Sequence, residues 1–97
     1  MTDRELLELA AKAAGVATFD YGDMVFTDLW NPLTDDGDAL RLAVKLEIDI
    51  AYRANKVTAL PCIQTQDLIT ESFGDDPYAA TRRAIVRAAA EIGKGMK

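Results

Sequence analysis

The 97-residue sequence contains no histidine, and this absence excludes much of the usual chemistry of enzymes. Histidine is the commonest general base near neutral pH, the usual activator of serine and cysteine nucleophiles, and a frequent metal ligand. The single cysteine, Cys62, cannot form an internal disulfide, which suits the reducing cytoplasm. We expect no secretory leader, because Thr2-Asp3-Arg4-Glu5 is not a basic start followed by an apolar run, and no apolar run in the sequence approaches membrane-spanning length. We therefore expect a soluble cytoplasmic protein that uses no membrane, no disulfide and no cofactor.

Basic residues are outnumbered, with 11 Lys and Arg against 16 Asp and Glu, so the formal net charge is −5. This balance argues against a general nucleic-acid binder, whose binding surface would be basic. Six aspartates and no basic residue lie between Asp20 and Asp38, whereas five basic residues and one acid follow Pro77. This uneven distribution of charge predicts an acidic region and a basic helix. The charges either select a binding partner or only keep the surface solvated. The length predicts one domain over residues 1–97.

Three amphipathic segments predict helices. The first begins with a capping box from Thr2 to Glu5 and ends at Gly15. The second follows the loop at Trp30, has Thr34 or Asp36 as its N-cap, and carries a broad apolar face through Ala39, Leu40, Ala43 and Leu46. The third has Asp76 as its N-cap and Pro77 as its first residue, and Gly93 and Gly95 end it.

Segments with aromatic and branched residues predict the strands. Residues 18–21 and 24–27 are predicted to form a short hairpin. Apolar and polar residues alternate from Ile48 to Arg53, as they do in a half-buried strand. A turn at Ala54-Asn55 leads into a partner strand over 56–63, in which Pro61 predicts an edge position or a bulge. A further strand is expected over 68–73. The fold class is therefore α+β, with three helices packed on a small, mainly antiparallel sheet in an α-β-β-α-β-β-(β)-α sandwich.

Three groups of residues are candidates for function. Asp35, Asp36 and Asp38 either bind Mg²⁺ or Ca²⁺ or cap the second helix, and capping is favoured because the spacing fails a calcium loop. Trp30 either packs at the core boundary or anchors a partner. The three arginines of the last helix either hold a phosphate or form a solvated face with an Arg87–Glu91 pair; they are Arg82, Arg83 and Arg87. Cys62 is expected to be a packing residue rather than a nucleophile.

Four segments together resemble a family of small proteins from tailed phages and prophages. They are Trp30-Asn31-Pro32, Asp35-Asp36-Gly37-Asp38-Ala39, Ile48-Asp49-Ile50 and Asp76-Pro77-Tyr78-Ala79-Ala80-Thr81-Arg82-Arg83-Ala84-Ile85. The pattern is similar to the phage ABA sandwich domain and, more distantly, to NinX-type phage proteins, which share an aromatic-x-Pro segment, an acidic helix start and a final Pro-x-x-Ala-x-Arg-Ala helix. The resemblance implies a helix–sheet–helix sandwich encoded by a phage or prophage, and it implies no particular activity. Residues 57–73 depart most from the pattern, so we expect binding specificity there.

These observations favour a non-enzymatic phage accessory protein that binds a host or phage protein in the cytoplasm of the host cell, for example as an inhibitor of host defence. Binding would use the acidic region between Asp20 and Asp38 or a sheet edge near Pro61. The alternatives are a small-ligand or nucleotide binder that uses the three arginines, and a carboxylate-metal enzyme that uses the three aspartates. We also expect that the protein can form a homodimer, because an edge strand and alanine-rich helices allow close association of two copies.

Overall fold

The structure, a computed structural model, describes residues 2–15, 30–60 and 68–95 as three helices and a three-stranded sheet. In chain order the elements are α1 (Asp3–Ala14), α2 (Asp36–Leu46), β1 (Asp49–Arg53), β2 (Lys56–Leu60), β3 (Ile69–Ser72) and α3 (Pro77–Lys94). The predicted α+β class is confirmed. The hairpin predicted over residues 18–27, and the expectations for Asp20, Pro61 and Cys62, lie outside the described residues.

Side-chain caps begin each helix. Thr2 and Glu5 form the expected capping box, in which the Glu5 amide donates to Thr2 Oγ1 at 3.1 Å and the Thr2 amide donates to Glu5 Oε1 at 2.9 Å. Asp76 caps α3 and Pro77 is its first residue, as predicted. The cap predicted for α2 was wrong, because Asp35, rather than Thr34 or Asp36, accepts the hydrogen bond from the Asp38 amide.

The sheet is antiparallel throughout, in the order β1-β2-β3. The turn at Ala54-Asn55 is confirmed, with φ of 52° and 62°, the positive values that two-residue hairpins favour. Of the two alternatives predicted for the strand over 56–63, an edge position or a bulge at Pro61, the edge position does not hold for β2, which pairs on both sides. The alternative of a bulge at Pro61 lies outside the described residues. The strand predicted over 68–73 is confirmed as β3.

Helix α3 occupies the centre of the fold. It packs on β2 and β3, while α1 and α2 pack against α3. The backbones of α1 and α3 approach closely at Gly93, where an added Cβ atom would overlap the Leu9 carbonyl oxygen. Both helices bury small residues: Ala10, Ala11 and Ala14 of α1, and Ala88, Ala89, Ala90 and Gly93 of α3. Gly93 therefore lies inside the helix as a packing residue and does not end it, contrary to the sequence prediction; Gly95 is the C-cap.

The buried face of α2 is narrower than predicted. Ala39, Leu42 and Ala43 are buried in the core, but Leu40 is exposed on the other side of the helix. One α-helical residue corresponds to about 100° of rotation, so Leu40 and Leu42 cannot both face α3. Among the described residues, every helix is too short or too polar to traverse a lipid bilayer.

Candidate functional site

The aspartates at the start of α2 make contacts within the protein. Asp35 accepts the Asp38 amide at 2.7 Å, and Asp38 accepts the Asn31 amide at 2.9 Å and the Arg41 guanidinium at 2.8 Å. Asp36 points elsewhere and forms an ion pair with Arg82. The capping function of Asp35 is confirmed. Within residues 2–15, 30–60 and 68–95, no three acidic, cysteine or histidine side chains gather as a metal site would require.

The three arginines of α3 are each paired with an acidic side chain, and each pair joins α3 to a different element. The pairs are Arg82 Nη1 with Asp36 Oδ1 of α2 at 2.6 Å, Arg83 Nη1 with Asp3 Oδ1 of α1 at 3.0 Å, and Arg87 Nη1 with Glu71 Oε2 of β3 at 2.5 Å. Arg82 Nε also donates to the Leu33 carbonyl at 2.8 Å. The predicted Arg87–Glu91 pair was wrong, because Glu91 pairs with Lys94. A phosphate would have to displace these carboxylates.

Trp30 lies at the boundary of the core. Its side chain is half-buried and packs against the core, next to the turn that begins at Asn31. That turn is fixed by the Thr34 and Asp35 amides, which donate to the Asn31 carbonyl at 3.1 and 3.0 Å. The prediction that Trp30 packs at the core or its boundary is confirmed.

The most conspicuous surface of the described chain is apolar. Five large apolar side chains in these residues are exposed, and four of them, at 59–70% exposure, border two adjoining grooves between α2, β1 and the start of α3. We define the α2–β1 surface as these four and the half-buried residue that lies between them: Leu40, Val44, Tyr52, Tyr78 and Ile50. The fifth exposed residue, Leu68, lines neither groove.

The first groove, of about 270 Å³, lies between α2, β1 and α3. Its apolar walls include Leu40, Ile50 and Ile85. Tyr52 is oriented by its hydroxyl, 3.2 Å from Thr81 Oγ1, and by a tilted ring contact with Phe73 at a centroid distance of 6.0 Å. The Arg82–Asp36 pair closes one end. This groove therefore presents a fixed aromatic wall with one neutralised charge pair.

The second groove, of about 360 Å³, continues from the first, because Leu40 and Ile50 line both. Its remaining apolar wall comes from Ala43, Val44 and Ile48, where α2 turns into β1. The turn is made by Glu47 at φ 54°, whose amide donates to the Val44 carbonyl at 3.2 Å. The tight α2–β1 connection thus holds the exposed side of the helix at an angle to the edge strand.

Sequence patterns did not identify this surface. Leu40 was assigned to the core with its neighbours, and Tyr52 was assigned to the buried side of a strand. A signal was nevertheless present, since Leu40 and Val44 are four residues apart and form their own stripe, offset from Ala39, Leu42 and Ala43. The second apolar stripe of this short helix is therefore left exposed by the core.

Comparisons of the chain with protein-family models, curated protein sequences and solved structures find no match. The resemblance to small phage proteins therefore stays a prediction that rests on the quoted segments.

Proposed function

We propose that this protein is a non-enzymatic protein-binding module and that its binding site is the α2–β1 surface. The observation that carries the proposal is the clustering of four of the five exposed large apolar side chains around two connected grooves. Contiguous exposed apolar patches are uncommon on soluble monomers and mark sites of interaction, whereas isolated exposed apolar residues do not.

The dimensions and composition of the grooves favour a protein partner. Grooves of about 270 and 360 Å³ suit one or two inserted side chains each and lie at the low end of the volumes of ligand pockets. Two tyrosines at the rim, Tyr52 and Tyr78, are of the type that dominates binding energy at protein interfaces. A partner segment that presents apolar residues on one face would fill both grooves at once.

A host protein is the partner that we favour, in keeping with the resemblance to phage accessory proteins. A module of this kind can inhibit a host defence protein by occupying the surface that the protein needs for its own assembly. This more specific function rests on the resemblance, while the protein-binding function rests on the α2–β1 surface alone. The two are therefore tested separately.

The alternative of a nucleotide binder has less support. Its three candidate phosphate ligands, Arg82, Arg83 and Arg87, contact three different elements and are each paired with a carboxylate. A carboxylate-metal enzyme is similarly disfavoured because Asp35, Asp36 and Asp38 are occupied by amides and arginines. Thermal unfolding with millimolar nucleotides or divalent cations tests both, since any ligand of the folded state raises Tm.

Site-directed photocrosslinking in bacterial cells tests the proposed surface. A photoreactive phenylalanine analogue is placed at Leu40, at Tyr78 or, as the matched control, at Leu68. Leu68 and Leu40 are equally exposed, at 59% and 61%, but only Leu40 lines the grooves. We expect the same adduct from positions 40 and 78 and its absence from position 68.

A second set of variants separates specific binding from non-specific hydrophobic association. Leu40→Gln and Tyr78→Gln remove the anchors at exposed positions, where substitutions change stability by about 0.5 kcal/mol or less. Each is expected to abolish the adduct at the other position, while Leu68→Gln leaves it unchanged. Equal crosslinking from all three positions, or insensitivity to both anchor variants, would contradict the proposal.

A further inference from the structure

Strand β1 is an edge of the described sheet, since β2 is the only described strand that pairs with it. The direction in which the backbone groups of the β1–β2 hairpin point follows from one hydrogen bond of the turn residue Asn55. The Phe73 amide donates to the Asn55 carbonyl at 3.0 Å, so this carbonyl points toward β3. Because backbone groups alternate in direction along a strand, Val57 and Ala59 also point toward β3, and the even-numbered residues of β2 point toward β1.

The same alternation defines the open side of β1. The residues paired with the even-numbered positions of β2 are Asp49, Ala51 and Arg53, and their backbone groups are used within the hairpin. The backbone N–H and C=O groups of Ile50 and Tyr52 consequently point away from the sheet. These two residues present four hydrogen-bonding groups to any strand that adds to this edge.

The side chains of β1 are complementary to those of a second copy. Asp49 and Arg53 are both exposed, and the described residues provide neither with an ion-pair partner. They lie two residues to either side of Ala51 and have opposite charges. A twofold axis at Ala51 would therefore place Asp49 of each copy opposite Arg53 of the other.

We propose that the protein forms a symmetric dimer in which β1 pairs antiparallel with β1 of a second copy, centred on Ala51. In this register Ile50 of one copy is opposite Tyr52 of the other, so the outward backbone groups meet as hydrogen-bonded pairs. Asp49 and Arg53 fall in non-hydrogen-bonded pairs, where opposed side chains are closest. A shift by two residues would leave Asp49 opposite Ala51 or Asn55, so only the register centred on Ala51 pairs the acid with the base.

This dimer goes beyond the protein-binding function and does not depend on it. It uses the backbone edge of β1 and the side chains of Asp49 and Arg53; Asp49 also lines the second groove, whereas Arg53 lines neither groove. Pairing joins the two sheets into one and brings Ile50 and Tyr52 of both copies side by side. A dimer would therefore present two adjoining α2–β1 surfaces to a partner with a repeated motif.

Charge reversal tests the register with its own control. Asp49→Arg and Arg53→Asp each place like charges opposite one another, and the twofold axis makes each substitution count twice. We expect each variant to weaken self-association by roughly tenfold or more, measured by sedimentation equilibrium from micromolar to millimolar concentration. The double variant D49R/R53D restores opposite charges and is expected to dimerise as the original chain does.

Mixing the two single variants gives the most specific result. Each associates weakly with itself, but in the mixed pair one strand carries two arginines and the other two aspartates, so both cross-strand pairs join opposite charges. We therefore expect a heterodimer, whose formation also proves that both chains are folded. Hydrogen exchange should show protection of the Ile50 and Tyr52 amides that rises with concentration.

Three results would each overturn the proposal. They are a monomer at every concentration, a dimer unaffected by the single reversals, and concentration-independent protection of the Ile50 and Tyr52 amides by another part of the same chain. Crosslinking from Leu40 and Tyr78 is expected to survive Arg53→Asp, because the Arg53 side chain lines neither groove, and this variant distinguishes failure of the dimer from failure of the protein-binding function.

Discussion

Replacing Gly93 by alanine is predicted to destabilise the protein, although alanine is the better helix former. Gly93 lies in α3 where this helix crosses α1. A Cβ atom added there would overlap the carbonyl oxygen of Leu9 and would lie only 2.8 Å from its carbonyl carbon. The obstacle is backbone, which cannot rotate away as a flexible side chain can. The two helices would have to separate.

The size of the effect follows from two opposing contributions. The helix propensity of alanine over glycine stabilises α3 by about 1 kcal/mol. An extra methyl group in a packed interior costs roughly 1–3 kcal/mol, and separation of α1 from α3 also loosens the alanine contacts around the crossing. Because the obstacle is backbone, the upper part of that cost applies, about 2–3 kcal/mol, and the net loss in the free energy of unfolding is about 1–2 kcal/mol. For a chain of this length, that loss lowers Tm by roughly 5–15 °C.

Gly95→Ala is the matched control. A Cβ atom at this position would lie 3.6 Å from the Ile92 carbonyl oxygen, an ordinary contact, and the backbone φ of −82° suits alanine. Urea and thermal unfolding followed by circular dichroism should show Gly95→Ala within about 0.5 kcal/mol of the original chain. If Gly93→Ala matched or exceeded the stability of Gly95→Ala, the close α1–α3 approach could not be the constraint that requires glycine.

Two further predictions concern the helix caps. Asp76→Ala removes the carboxylate that accepts hydrogen bonds from the Tyr78 and Ala79 amides at 3.0 and 3.1 Å. It should lower the free energy of unfolding in urea by about 1 kcal/mol. The control is Asp75→Ala at the exposed neighbouring position, which should lower it by less than half as much. The pKa of Glu5 lies below its usual 4.5, mainly because the Thr2 backbone amide donates a hydrogen bond to the carboxylate and secondly because the Thr2 hydroxyl does. The contribution of this carboxylate to stability is therefore present above pH 4.5. It is lost as the pH falls through the lowered pKa. The stability difference between the original chain and Glu5→Gln should accordingly narrow in acid, and a difference that stays constant down to about pH 3 would contradict this assignment.

Helix ends and the hairpin turn could be predicted because their determinants are local. A capping box, an Asp-Pro helix start and an Asn-containing turn each satisfy backbone groups within a few residues. The wrong N-cap predicted for α2 shows the limit of such signals. Thr34, Asp35 and Asp36 are all competent N-caps, and the turn in which the Asp35 amide donates to the Asn31 carbonyl decides between them.

The candidate site could not be predicted in the same way because it depends on what covers each element. Ile50 and Tyr52 alternate with polar residues as a half-buried strand does, yet α3 covers β2 and β3 and leaves β1 at the margin. The edge alternative for the strand before Pro61 failed for a related reason. Pro61 limits hydrogen bonding only at its own position, whereas the place of β2 in the sheet is set by its partners over residues 56–60.

The charge asymmetry of the sequence has an internal explanation in the fold. The basic helix α3 is central, and its arginines reach acids on three of its neighbouring elements, α1, α2 and β3. Surface ion pairs of this kind each contribute only about 0.2–1 kcal/mol to the free energy of unfolding. They therefore determine how the helices and the sheet are arranged more than they stabilise the protein. An arginine that already orients a neighbouring element is a poor ligand for a phosphate, because binding would require that arrangement to be given up. The proposed recognition of a partner would therefore use apolar side chains that the core leaves exposed, and in the described residues four of the five large ones belong to the α2–β1 surface.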